Sequence, residues 1–144
     1  MELTHTNHAV GQSAYHFVWR PKYNLKIFVN PTVRYIADNA IRTVAEKWKI
    51  RIYELKVMKD HVHCFAEVPK TMSVSFALQV LKGGSARIIL KSCSTWRKCL
   101  SVGHKKVHLW SPGKFFRSVG CVSGDVIENY IKTSQDEWVY EIQS

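Results

Sequence analysis

The chain has 144 residues, with 21 Lys and Arg against 11 Asp and Glu and a formal net charge of +10. This length fits one domain, 1–144, around a single core, and 46% apolar with 22% charged residues excludes a disordered chain. The charge excess points to a polyanionic partner, nucleic acid before an anionic membrane surface. No apolar stretch nears the roughly 18 residues of a spanning helix, and no signal peptide is read, so no membrane span and no secretion are expected.

The elements follow in chain order. Residues 1–12 are polar, with His5 and His8 read as surface residues. Ser13 to Arg20 alternates, with Tyr15, Phe17 and Trp19 on one face and Ala14, His16, Val18 and Arg20 on the other, which predicts a first strand ended by Pro21. Asn30 before Pro31 is a helix start, cap then first-turn proline. Val33, Ile36, Ala37, Ala40, Ile41, Val44, Ala45 and Trp48 then keep helical spacing. Ile50 to Met58 predicts a second strand, with Tyr53, Leu55 and Val57 together on one side. Lys59-Asp60 turns it into a third, as an antiparallel hairpin. Ser73 caps a second helix whose apolar stripe is read as Phe76, Ala77, Val80 and Leu81. Gly83 and Gly84 would each weaken an isolated helix by about 1 kcal/mol, so they imply close backbone approach, to a phosphate or to another helix.

Residues 92–114 show no period. They interleave Trp96 and Trp110 with Arg97, Lys98, His104, Lys105, Lys106, His108 and Lys114, which reads either as a nucleic-acid surface or as a solvated loop. Lys114 to Cys121 predicts a fourth strand, and Ser123 caps a third helix with Val126, Ile127, Tyr130 and Ile131 in its stripe. On spacing alone Tyr130 is a core tyrosine. The order β-α-β-β-α-(loop)-β-α predicts an α+β fold of the ferredoxin-like (RRM-like) sandwich type. Its antiparallel sheet would have four to five strands, with helices on one face. Cys64, Cys93, Cys99 and Cys121 show no pairing pattern and are read as reduced thiols. The spacing of Cys93, Cys99, His104 and His108 does not match a zinc finger.

The chemistry concentrates in the third strand. Alternation puts Val62, Cys64, Ala66 and Val68 on one face and His61, His63, Phe65 and Glu67 on the other. Two imidazoles two residues apart stand roughly 6–7 Å apart at their backbones, close enough to converge on one divalent metal or one phosphate. Asp60 is placed to add an oxygen ligand or to orient a histidine through its second nitrogen. The competing reading is a pair of surface histidines on an exposed sheet face.

Four stretches together carry a resemblance: Val57-Met58-Lys59-Asp60-His61-Val62-His63; Tyr15-His16-Phe17-Val18-Trp19-Arg20-Pro21-Lys22-Tyr23; Leu81-Lys82-Gly83-Gly84-Ser85-Ala86-Arg87; and Leu109-Trp110-Ser111-Pro112-Gly113-Lys114-Phe115-Phe116, continued by Ser118, Gly120 and Val122-Ser123. In this order they resemble the small single-tyrosine HuH transposases of the insertion-sequence 200/605 class. A lone His-x-His is a weak signal; the ordered set spans nearly the whole chain and is specific.

The resemblance implies a fold ending in a helix that carries a nucleophilic tyrosine, here Tyr130 in Val126-Ile127-Glu128-Asn129-Tyr130-Ile131. It implies a DNA transposase that cuts and rejoins single-stranded DNA through a 5′-phosphotyrosine, with Mg²⁺ or Mn²⁺ held by His61, His63 and a glutamine. It also implies subterminal DNA hairpins as substrate, a homodimer with active sites shared between subunits, and a prokaryotic cytoplasmic location. The family places that glutamine four residues after the tyrosine; here Ser134 holds that position and Gln135 comes one later. A regular helix sets i+5 about 140° from the tyrosine, so a helix bulge brings Gln135 round, or Asp60 serves in its place. Lys22, Lys82, Arg87, Lys105 and Lys106 are the expected phosphate contacts. A related HuH nickase and a non-catalytic RNA- or DNA-binding module on the same fold are the alternatives; the second has no use for paired histidines and a late tyrosine.

Overall fold

A computed structural model of the protein describes residues 13–22, 27–93, 108–113 and 115–121. Within them the chain runs β1 (Ser13–Trp19), a 3₁₀ turn (Ile27–Val29), α1 (Pro31–Lys47), β2 (Arg51–Val57), β3 (Val62–Val68), α2 (Val74–Ser92) and β4 (Phe115–Cys121). The four strands form one antiparallel sheet in the order β2-β3-β1-β4. The α+β class and the antiparallel sheet agree with the sequence, and the sheet has four strands among the described residues. The predicted helix from Ser123, with Tyr130 and Gln135, lies outside them, as do Trp96, Cys99, Lys105 and Lys106.

α1 forms where its local signals say. Asn30 Oδ1 accepts the Thr32 N–H at 2.8 Å, and Pro31 occupies the first turn. Val33, Ala37, Ala40, Ile41, Val44 and Ala45 are buried. The helix stops in a Schellman turn: Ile50 N–H donates to Ala45 O at 2.8 Å and Lys49 N–H to Glu46 O at 3.2 Å. Lys49 takes a φ of 59° there, the left-handed position usually given to glycine. Trp48, expected in the buried stripe, instead lies half exposed at this end and meets the Phe76 ring edge-on at 5.5 Å.

α2 is capped by Ser73, whose Oγ accepts the Phe76 N–H at 3.1 Å. Its buried stripe is Ala77, Leu78, Leu81, Ser85 and Ile89. The predicted stripe was rotated toward Phe76, which is exposed. Gly84 explains itself: a Cβ built there would stand 2.8 and 2.9 Å from the two Val44 methyls, so the glycine lets α2 approach α1. Gly83 faces open space.

One face of the sheet carries the core. Phe17 and Trp19 of β1 and Val62, Cys64, Ala66 and Val68 of β3 cluster with Ala37 and Ile41 of α1 and Leu78, Leu81 and Ile89 of α2. β2 departs from simple alternation. Ile52 pairs with Ala66 and Glu54 with Phe65, so Tyr53 is an extra residue in a bulge. The bulge carries the Tyr53 ring to Phe65, at 5.6 Å, and not to the side of Leu55 and Val57 where alternation put it.

The segment 108–113 is part of the fold and not an open basic loop. Ser111 N–H donates to Arg20 O at 2.8 Å and Lys22 N–H to Leu109 O at 2.7 Å, extending the edge of β1. Trp110 is buried; it stacks on Phe28 at 5.4 Å and donates its indole N–H to Ser85 Oγ at 3.0 Å. Trp110 is therefore a core residue and not a stacking platform for bases. No helix of the described residues is long and apolar enough to cross a membrane.

Candidate active site

β3 lies between β2 and β1, and every residue of it is buried on both faces. The β2–β3 turn closes with Met58 N–H on His61 O at 2.7 Å, which sets His61 directly before the strand. The His61 and His63 rings come together as the two-residue spacing predicted, with centroids 4.7 Å apart and planes at 63°. They are not surface histidines: His61 is 3% exposed and His63 not at all.

Each imidazole is held through its Nδ1. Asp60 Oδ1 accepts from His61 Nδ1 at 2.6 Å, which makes His61 the Nδ1–H tautomer and puts its lone pair on Nε2. His63 Nδ1 is 3.0 Å from His16 Nε2. His16 sits on β1 opposite Phe65, and the neighbouring Val18 sits opposite His63. This third histidine, 2% exposed, was not singled out from the sequence. Its signal was present: the alternation of β1 puts it on the face away from the core, and an antiparallel neighbour brings that face to the histidine face of β3.

Burial and nearby positive charge disfavour protonation of His63 and His16. Burial first, then electrostatic interaction with His61, His16, Lys56 and Arg20, pushes His63 down to about 3. Burial, then Arg117, pushes His16 down to about 4. Lys56 lies opposite His63 on β2, and Arg117 opposite His16 on β4. Among the described residues Arg20, Lys56 and Arg117 are cations acting on the histidines, and none of them was among the basic residues expected to meet phosphate.

Of those expected residues, Lys82 has another use. Its Nζ donates to Ser111 O at 2.6 Å and Gly113 O at 2.9 Å, tying the 108–113 segment to α2. Lys22 is half-buried beside the same segment, and Arg87 is exposed on α2. Lys105 and Lys106 lie outside the described residues, with Tyr130 and Gln135.

The donor set fits a divalent ion in part. Two imidazoles, each anchored at Nδ1, would ligate through Nε2, and the Asp60–His61 pair has the form of a carboxylate–histidine–metal triad. Among the described residues no group of three or more His, Cys, Asp or Glu converges as placed, so a third donor would be a residue beyond them, one from a partner, or Asp60 after reorientation.

The sequence matches a known family over most of its length. The family described as "Transposase IS200 like" matches residues 9–134. The chain belongs to that family. It is 28% identical over 130 residues to the transposase of insertion sequence element IS200 of Salmonella typhimurium, covering 90% of this chain and 82% of that one. It is 26% identical over 128 residues to the ISDra2 transposase TnpA of Deinococcus radiodurans, covering 89% and 88%. Two solved structures share the fold. One is a candidate transposase of Deinococcus radiodurans R1, with TM-score 0.64, 20% identity and 98% and 97% of the chains covered. The other is a REP-associated tyrosine transposase bound to a REP hairpin, with TM-score 0.55, 14% identity and 96% and 75% covered.

Proposed function

We propose that the protein, a transposase by family, cuts and rejoins single-stranded DNA through a 5′-phosphotyrosine at Tyr130, with a divalent metal held by His61 and His63. The observation that carries this reading is the buried pair His61 and His63, 4.7 Å apart and each anchored at Nδ1. The element order and the strand order β2-β3-β1-β4 support the ferredoxin-like reading of the fold.

The residues divide the work as follows. Asp60 orients His61, and Gln135, or a carboxylate oxygen of Asp60 itself, completes the ligand set. The nitrogen donors suit Mn²⁺ at least as well as Mg²⁺, which prefers oxygen. When bound, such an ion supplies a Lewis acid for the scissile phosphate. Arg20, Lys56 and Arg117 add positive charge on the same face. The Tyr130 hydroxyl oxygen attacks the phosphorus. As the new P–O bond forms, the P–O3′ bond breaks, the tyrosine gives up its proton, and the departing 3′ oxygen takes one up as a free hydroxyl. One ester replaces another, so the bond is conserved for rejoining and no ATP is consumed.

The solved relative carries a REP hairpin, which supports hairpin-bearing single strands as the DNA partner here. A homodimer in which the tyrosine helix of one subunit serves the histidines of the other, working in a prokaryotic cytoplasm, completes the reading. Lys22, Lys105, Lys106 and Arg87 remain candidate contacts to the DNA backbone, whereas Lys82 is committed to the Ser111 and Gly113 carbonyls.

The test uses single-stranded oligonucleotides from both flanks of the reading frame, with Mn²⁺, Mg²⁺ or EDTA, on a denaturing gel. A metal-dependent covalent protein–DNA adduct, absent in Tyr130→Phe and His61→Ala, is the expected result. Binding without an adduct under any metal would instead favour a non-catalytic module.

A further inference from the structure

We infer that His16 is a positioning residue: it holds His63 as the Nδ1–H tautomer, so that Nε2 is the nitrogen His63 presents to the site. The inference rests on the reading of His61 and His63 as metal ligands, and it concerns a residue on a different strand.

The geometry is directional. His16 Nε2 and His63 Nδ1 are 3.0 Å apart, with ring centroids 5.1 Å apart and planes within 18° of parallel. The contact therefore runs close to the ring planes, as a hydrogen bond does, and not face to face. Between two neutral imidazoles one nitrogen must donate and the other accept. If His16 Nε2–H donated, His63 Nδ1 would hold the lone pair and His63 Nε2 the proton, and Nε2 could not ligate a cation. Ligation through Nε2 requires the reverse: His63 Nδ1–H donates, and His16 accepts at Nε2 while its own proton sits on Nδ1.

His16 is buried, 2% exposed, and lies opposite Arg117 on β4. The position is fixed by backbone pairing: the β1–β3 register sets Val18 against His63 and His16 against Phe65, so His16 reaches His63 from one step along the same face. The two ligand imidazoles are then oriented by two different acceptors, an aspartate for His61 and a histidine for His63.

The first measurement needs no variant. In the metal-free protein with ¹⁵N-labelled histidine, the long-range ¹H–¹⁵N couplings of His63 report which ring nitrogen carries the proton. The expected pattern is Nδ1–H; an Nε2–H pattern would overturn the assignment. The second compares Mn²⁺ affinity, by the loss of the free-ion EPR signal, in wild type, His16→Phe and His16→Gln. Phe keeps a ring and removes the acceptor; Gln places an amide oxygen near the position of Nε2. His16→Phe should lose the His63 tautomer preference and weaken Mn²⁺ binding about 10- to 100-fold, as loss of a ligand's hydrogen-bond partner does elsewhere. His16→Gln should recover most of both. Wild-type affinity with an unchanged tautomer in His16→Phe would overturn the inference. Wild type binding no Mn²⁺, with His63 still Nδ1–H, would bring down the metal reading and leave the His16 assignment standing.

Discussion

Asp60 Oδ1 and His61 Nδ1 lie 2.6 Å apart at the turn into β3, with the carboxylate half exposed and the imidazole buried. An aspartate that orients His61 and one that ligates the metal directly respond differently to substitution. Asp60→Asn keeps an oxygen that accepts from Nδ1–H, whereas Asp60→Ala removes it. Mn²⁺ affinity should fall about 10- to 100-fold in Asp60→Ala and much less in Asp60→Asn. Calorimetric titration checks this; equal losses in both variants would make Asp60 a ligand.

Gly83 and Gly84 are adjacent and should behave oppositely. Alanine at 84 would drive its methyl into Val44, at 2.8 Å, while alanine at 83 meets nothing within 4 Å. Gly83→Ala should stabilise the protein by about 1 kcal/mol through helix propensity. Gly84→Ala should destabilise it by about 1 kcal/mol or more, overpacking outweighing propensity. Thermal melts of the two variants, read against wild type, decide it.

Lys82 and the cations near the histidines should separate in a salt titration of DNA binding. Lys82→Met loses two hydrogen bonds to carbonyls of the 108–113 segment and should lower the melting temperature. It should leave the salt dependence of single-strand binding nearly unchanged. Lys56→Met and Arg20→Met should each flatten that dependence by about 0.7 in slope, the effect of one lost phosphate contact on a single strand. A Lys82 variant that flattens the slope while keeping full stability would return Lys82 to the DNA interface.

Cys64 makes a pH prediction. It is fully buried under the helices, and burial pushes its thiol up from 9.0 to about 12. Above pH 9 the unfolded chain releases this proton and the folded chain keeps it. Folding then binds the extra proton, and stability falls as pH rises through that window, by up to about 1.4 kcal/mol per unit. Urea unfolding at pH 8 and 10 should show a steeper loss in wild type than in Cys64→Ala, and the native thiol should resist a disulfide reagent that labels it in urea.

What the sequence made legible was local. Asn30-Pro31 and Ser73 announced their helices because caps act within one turn. The alternation of β3 announced the histidine face because a strand has period two. What it hid was non-local. Tyr53 sits in a bulge, and one inserted residue inverts the alternation that placed it beside Leu55. Trp110 looked like a base-stacking aromatic because its segment has no period; its burial comes from pairing with β1 and from Ser85, 25 residues away. His16 and Arg117 reach the site only through strand register, which an isolated strand does not reveal. The family resemblance supplied what neither kind of signal could, the role expected of Tyr130.

That role is the most direct point of test. Wild-type protein would be incubated with Mn²⁺ and single-stranded DNA from the flanks of its reading frame, digested, and the DNA-linked peptide sequenced by tandem mass spectrometry. A nucleotide phosphate is expected on the side chain of Tyr130, with none when His61 or His63 is replaced by alanine, and none in EDTA. A phosphate on Tyr140 or any other residue, or an adduct that forms without His61 and His63, would contradict it.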